Sequence, residues 1–129
     1  MTGLIRILLV EDNADDEHLA LRALRKLEAP VEIAVVRDGQ EALDSLFGTD
    51  AALPSIVLLD LRLPKVGGLQ VLGAVRADDR TRDLPIVVMV STDEPAEVRE
   101  GYEQTADATM QKPIRLDEFA SIARRFGLM

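Results

Sequence analysis

The stretch Pro54 to Leu72 reads PSIVLLDLRLPKVGGLQVL, and its middle decides the fold. Ile56 to Leu59 is an unbroken run of β-branched residues and leucine, the pattern of a strand buried on both faces of a parallel sheet. The run ends abruptly on a carboxylate, Asp60. A loop with Pro64 and the pair Gly67 and Gly68 follows, and Leu69, Leu72, Gly73 and Val75 then set up a helical rhythm. Open α/β sheets carry their chemistry at the carboxyl ends of central strands. An isolated Asp there is ordinarily a cap for the following turn, so the rest of the chain has to decide.

On the amino-terminal side, Ile5 to Val10 reads as a strand running into Glu11 and Asp12. Ala14 to about Leu27 reads as a helix with Leu19, Ala23, Leu24 and Leu27 inward. Pro30 precedes a second strand, Val31 to Val36. Asp38 and Gly39 form a turn before a short helix, Gln40 to Phe47, with Ala42, Leu43 and Leu46 inward. On the carboxyl-terminal side, Ile86 to Val90 is a fourth strand, and Pro95 to Gln104 a helix with Thr92 and Asp93 as candidate caps. A weak strand, Thr109 to Gln111, leads to Lys112 and Pro113, and Leu116 to Phe126 is the last helix. Strict strand–helix alternation predicts an α/β fold with a parallel sheet covered by helices on both faces. Among the few topologies that right-handed crossovers allow, the flavodoxin-like (βα)5 fold, a doubly wound five-stranded parallel sheet of order 2-1-3-4-5, is one of the common answers. In that order Glu11, Asp12 and Asp60 surround one crevice at the point where the strand order reverses.

Composition narrows the function. The 129 residues suit one domain, 1-129, with no output domain expected. The 23 acidic against 15 basic residues, net charge −8, argue against nucleic-acid binding. Cysteine is absent, which excludes disulfides and thiolate metal sites and suits a reducing cytosol, so a cytoplasmic location is expected. Apolar runs of about five residues fall far short of the about 18 that span a bilayer, so no membrane partner is expected.

Three carboxylates at adjacent strand ends repel; one like-charge pair at about 4 Å costs on the order of 4 kcal/mol at an effective dielectric near 20. Such a cluster raises its pKa values or recruits a cation. Oxygen-only ligands select a hard ion, and Mg2+ held by few carboxylates plus waters fits best. Asp16 either leans toward the same site or simply suits the amino end of its helix. Ser91 after the fourth strand and Lys112 after the fifth can bring a hydroxyl and an ammonium to the same edge. A carboxylate nucleophile, metal-binding acids and donors for phosphoryl oxygens are what phosphoryl transfer to Asp requires.

On these residues the chain resembles the CheY-like receiver domains of bacterial two-component response regulators. The matching pieces are ILLVEDN at 7–13, VLLDLRLPKVGG at 57–68, LPIVVMVST at 84–92 and QKP at 111–113, in the family's order and spacing. The resemblance implies a stand-alone, phosphoprotein-type regulator in which Asp60 is the phosphoacceptor, labelled by a sensor histidine kinase. It implies Mg2+ held by Glu11, Asp12, Asp60 and the Arg62 backbone carbonyl, and Lys112 pairing with the phosphoryl oxygens. It also implies a cis Lys112–Pro113 bond, and output by contact with a downstream protein or by onward relay. No enzyme activity is expected beyond self-phosphorylation and autodephosphorylation.

Two positions depart from the family pattern. The switch hydroxyl usually lies 22 positions before the lysine, which here is Val90; either Ser91 substitutes through a one-residue shift or the donor is missing. Three positions before the lysine the family often has an aromatic, and here Thr109 stands. A finer resemblance, to small single-domain regulators paired with phytochrome-type kinases, rests on Asn13, Asp16, Ser91, Thr92 and Tyr102. That subgroup implies a homodimer through the face of the fifth strand, and Phe126, Leu128 and Met129 would suit the contact. His18, the single histidine, reads as solvated.

The competing class is a degenerate receiver acting as a non-phosphorylated interaction scaffold, which Val90 and Thr109 keep open. An aspartyl-phosphate phosphatase with a DxD motif is disfavoured because Arg62 stands in place of the second Asp. A flavin carrier of the same fold is disfavoured by acids where its phosphate loop belongs.

Overall fold

The computed structural model describes residues 3–48, 52–63, 66–91, 95, 100 and 105–129. Apart from Pro95 and Glu100, the helix expected from Pro95 to Gln104 lies outside them, as do Thr92, Asp93, Tyr102 and Pro64. The strands are β1 (Ile5–Val10), β2 (Val31–Val36), β3 (Ile56–Asp60), β4 (Ile86–Val90) and β5 (Ala108–Gln111). They form one parallel sheet of order β2-β1-β3-β4-β5, as expected. Among the described residues the helices are α1 (Ala14–Leu24), α2 (Gly39–Phe47), α3 (Gly68–Ala77) and α4 (Leu116–Arg125).

Strand periodicity splits the core into two layers. Ile7, Leu9, Leu58, Val87 and Met89 face Ala20 and Leu24 of α1 and Phe119 and Ala123 of α4. Leu8, Val10, Val57, Leu59, Val88 and Val90 face Ala42 and Leu46 of α2 and Val71, Leu72 and Val75 of α3. All five residues of β3 and of β4 are buried, hence their continuous apolar reading.

One leucine in each of two expected stripes is corrected. Leu19 and Leu69 are 44% and 52% exposed, whereas Leu24, Leu27, Leu72 and Val75 are buried as expected, joined by Ala20 in α1 and Val71 in α3. Reading bulk rather than phase overvalued the leucines against an alanine and a valine one and two positions further on. Asp38 and Gly39 are not a free turn: Asp38 caps α2, accepting from the Glu41 N–H at 2.8 Å, and Gly39 is its first residue. At the other end of the chain, α4 closes with Gly127 at φ 74°; Gly127 N–H donates to Arg124 and Leu128 N–H to Ala123. That cap folds Phe126, Leu128 and Met129 against the first core layer, so they cover the chain's own core.

Arg76, on the last turn of α3, ties three segments together. Its guanidinium donates to the carbonyls of Arg82 and Leu84, both at 2.9 Å, of Thr105 at 3.3 Å, and to Asp107 Oδ2 at 2.6 Å. Asp107 Oδ2 also accepts from the Ile86 N–H at 2.8 Å, fixing the start of β4. Arg76→Ala is expected to cost about 3 kcal/mol of stability, because Asp107 and three carbonyls lose their donor together. The check is an earlier urea midpoint with unchanged slope; an unmoved midpoint would show that water replaces the guanidinium at no cost.

Candidate functional site

The parallel register levels the carboxyl ends of four strands. Val10 pairs with Leu59, Asp60 with Met89 and Val90 with Gln111. Glu11 N–H continues onto the Val36 carbonyl at 3.0 Å, and Lys112 N–H onto the Val90 carbonyl at 2.8 Å. The residues just past each strand therefore converge. Asp12, Asn13, Asp16, Asp60, Arg62, Ser91 and Lys112 line one cleft of about 480 Å³. Carboxylate oxygens of Glu11, Asp12 and Asp60 lie within 4.8 Å of one another. Asp12 is exposed, whereas Glu11 and Asp60 are 1% and 4% exposed.

Lys112 is the counter-charge. Its Nζ stands 2.8 Å from Glu11 Oε1, 3.0 Å from Asp60 Oδ2 and 3.1 Å from Asp16 Oδ2. The remaining oxygens are held by main chain: Glu11 Oε2 accepts from Asn13 N–H at 3.2 Å, and Asp60 Oδ1 from Arg62 N–H at 3.1 Å. Asn13 caps α1 by accepting from Asp16 N–H at 2.9 Å. Asp16 thus takes both readings the sequence left open, sitting in the first helical turn and against Lys112.

Burial is the main force raising the Glu11 pKa to about 7, with sharing of a hydrogen bond with Asp60 adding to it and the Lys112 contact opposing it. Burial works against the Lys112 ammonium, but its bonds to Glu11 and Asp60 outweigh that and hold its pKa above the usual lysine range. Glu11 rises from 4.5 to about 7, so the folded state keeps a proton the unfolded chain has released. Its contribution to stability is complete below pH 4.5 and lost as pH climbs through about 7. The donor set is oxygen-only, clustered and buried on one side, which fits a small hard divalent ion. Such an ion has to displace the Glu11 proton, so Mg2+ affinity is expected to be about tenfold weaker at about pH 6 than at about pH 8. Calorimetric titration in buffers of different ionisation enthalpy checks this; equal affinity and no proton release would contradict it.

Residues 7–124 match the family model described as the response regulator receiver domain. The chain belongs to that family. Among relatives of this receiver, the probable methanogenesis regulatory protein FilR2 of Methanothrix harundinacea is 38% identical over 115 residues, covering 87% of this chain and 74% of that protein. Several longer regulators are matched over less than half of their own length. The bacteriophytochrome response regulator AtBRR superposes with a TM-score of 0.84 at 39% identity, over 98% of this chain and 95% of that one. The receiver domain of the sensor histidine kinase PA1611 from Pseudomonas aeruginosa superposes with a TM-score of 0.82 at 28% identity, over 97% and 99% of the two chains. That structure holds a magnesium ion coordinated in its active-site cleft.

The receiver fold thus gathers every site residue expected from the sequence, and Lys112–Pro113 is cis. Ser91 lines the cleft while Val90 is 5% exposed, packed into the second core layer, so of the two only Ser91 can reach the site. Two roles escaped the sequence reading. Lys112 binds Glu11 as well as Asp60, which no motif spacing announces. Asn13 caps α1, a role its position three residues before Asp16 could have signalled.

Proposed function

We propose that the chain is a response regulator receiver that accepts a phosphoryl group on Asp60 from a sensor histidine kinase. The observation that carries this reading is the Lys112 ammonium 3.0 Å from Asp60 Oδ2 beside the Glu11–Asp12 pair. Asp60 attacks the phosphorus of a phosphohistidine; its P–N bond breaks, a P–O bond to Asp60 forms, and the released imidazole takes up a proton. Glu11, Asp12, Asp60 and the Arg62 carbonyl would hold Mg2+, which supplies charge neutralisation for the phosphoryl oxygens when bound. Lys112 follows the charge from Asp60 onto a phosphoryl oxygen, and the Ser91 hydroxyl donates to another. Because Ser91 stands in for the usual hydroxyl and Thr109 for the usual aromatic, output through the β5 face relies on Ser91.

The kinase is proposed to be phytochrome-type, a reading supported by the similarity to AtBRR. The acidic surface, net charge −8, supports output through a protein rather than through nucleic acid. No helix among the described residues is long and apolar enough to cross a membrane, and the absence of cysteine supports a cytoplasmic location. β5 is an edge strand, which supports a homodimer through that face. The chemistry proposed is limited to gaining and losing the phosphoryl group. Incubation with acetyl phosphate and Mg2+, followed by intact mass and peptide mapping, tests the proposal. One phosphoryl group on Asp60 is expected; an unmodified protein would leave the interaction-scaffold reading.

A further inference from the structure

The amino end of α2 meets the loop that follows Asp60 through a residue without a side chain. Gly39 is buried, and the Val66 carbonyl oxygen occupies the space a Cβ would need there. A Cβ on Gly39 would also stand 2.6 Å from the Val66 carbonyl carbon and 2.8 Å from its Cβ, closer than the 3.0 Å that real Cβ contacts respect. Two of these three obstacles are main chain, so no side-chain rotation relieves them.

Both sides of this contact are anchored. α2 is capped by Asp38 and fixed by Ala42 and Leu46, each 0% exposed. Val66 packs against the same core layer as α2, and Gly67 N–H is held by Gln70 Oε1 at 3.1 Å at the start of α3. Four residues upstream of Val66 is Arg62, whose N–H holds Asp60 Oδ1 and which lines the cleft. Arg62 therefore follows a fixed strand end and Val66 precedes a fixed helix end, with Gly39 setting how close Val66 comes to α2.

We propose that Gly39 is a positioning residue for the metal site: its bare Cα lets the Val66 main chain seat against α2, and that anchor sets where the Arg62 main chain, four residues upstream, stands beside the carboxylate cluster. This rests on reading the cleft as an Mg2+ site. A substituent at Gly39 lifts Val66 and disturbs the site without touching any of the acids.

The experiment compares three single variants with the unaltered chain by Mg2+ calorimetry, amide NMR of the metal-free protein and thermal melting. Gly39→Ala is expected to weaken Mg2+ binding about tenfold and to shift the metal-free amide resonances of Leu61, Arg62 and Gly67. Val66→Gly removes the packing that anchors Val66 without adding bulk to α2, and is expected to weaken Mg2+ binding in the same direction. Gly73→Ala, whose Cβ would meet nothing within 4 Å, should leave Mg2+ affinity unchanged and raise the melting temperature. Should Gly39→Ala not fold, Val66→Gly carries the test alone. Full Mg2+ affinity in the folded variants overturns the proposal. An equal loss in Gly73→Ala also overturns it, because the effect would then not run through Gly39. If the unaltered chain binds no Mg2+ at all, the reading of the cleft fails instead.

Discussion

Asp60→Asn is expected to abolish phosphoryl acceptance while the fold persists. The amide has no nucleophilic oxygen comparable to a carboxylate, and no other described carboxylate pairs with Lys112 while also being tied to Arg62 N–H. The structural cost is small for two opposing reasons. The amide can still accept one of the two hydrogen bonds that Asp60 accepts, but turns an N–H group toward the other donor, which costs about 1–2 kcal/mol. Against that, one of the like-charged neighbours of Glu11 is removed. Net stability should stay within about 1 kcal/mol of the parent, while labelling by acetyl phosphate and Mg2+ disappears. The same variant should move the pH midpoint of Mg2+ binding below about 7, since Asp60 helps raise the Glu11 pKa. Retained labelling would place the acceptor elsewhere and sink the assignment.

Lys112→Ala is expected to have a large effect on stability in the absence of metal. Its side chain is 16% exposed and contacts three carboxylates, two of them on nearly inaccessible residues. Removing one partner of such a cluster leaves buried charge uncompensated, at a cost of about 3 kcal/mol near neutral pH. Mg2+ can replace the lost counter-charge, so the variant should bind the ion more tightly than the parent and regain most of its melting temperature with it. The phosphorylated form should nevertheless lose its conformational bias, because one charge-assisted contact worth about 1.5–3 kcal/mol is missing. Melting curves with and without Mg2+ decide this; a metal-free variant as stable as the parent would show that the ammonium is not what holds the acids together.

Much of this site was legible along the chain because each part is local. β3 announces itself by an apolar run that stops on Asp60, and β1 by one that stops on Glu11 and Asp12. Helix phase was less legible. Leu19 and Leu69 have the hydropathy of core residues, and only the packing of Ala20, Leu24, Val71 and Val75 shows which faces are covered. The Asp16 contact was half legible, because helix-terminus preference and proximity to a lysine 96 residues away favour the same residue type.

By itself, the sequence determined the strand–helix alternation and which acids stand at strand ends, since period and punctuation are properties of neighbouring residues, and it narrowed the sheet order to a few possibilities. Tertiary structure alone decided that Lys112 is shared among Glu11, Asp16 and Asp60, that Ser91 rather than Val90 reaches the cleft, and that Gly39 lies under Val66. Those facts depend on distances between segments far apart in the chain. Such distances are set by sheet register and by how closely a helix end can approach a loop, and neither is encoded in any one stretch.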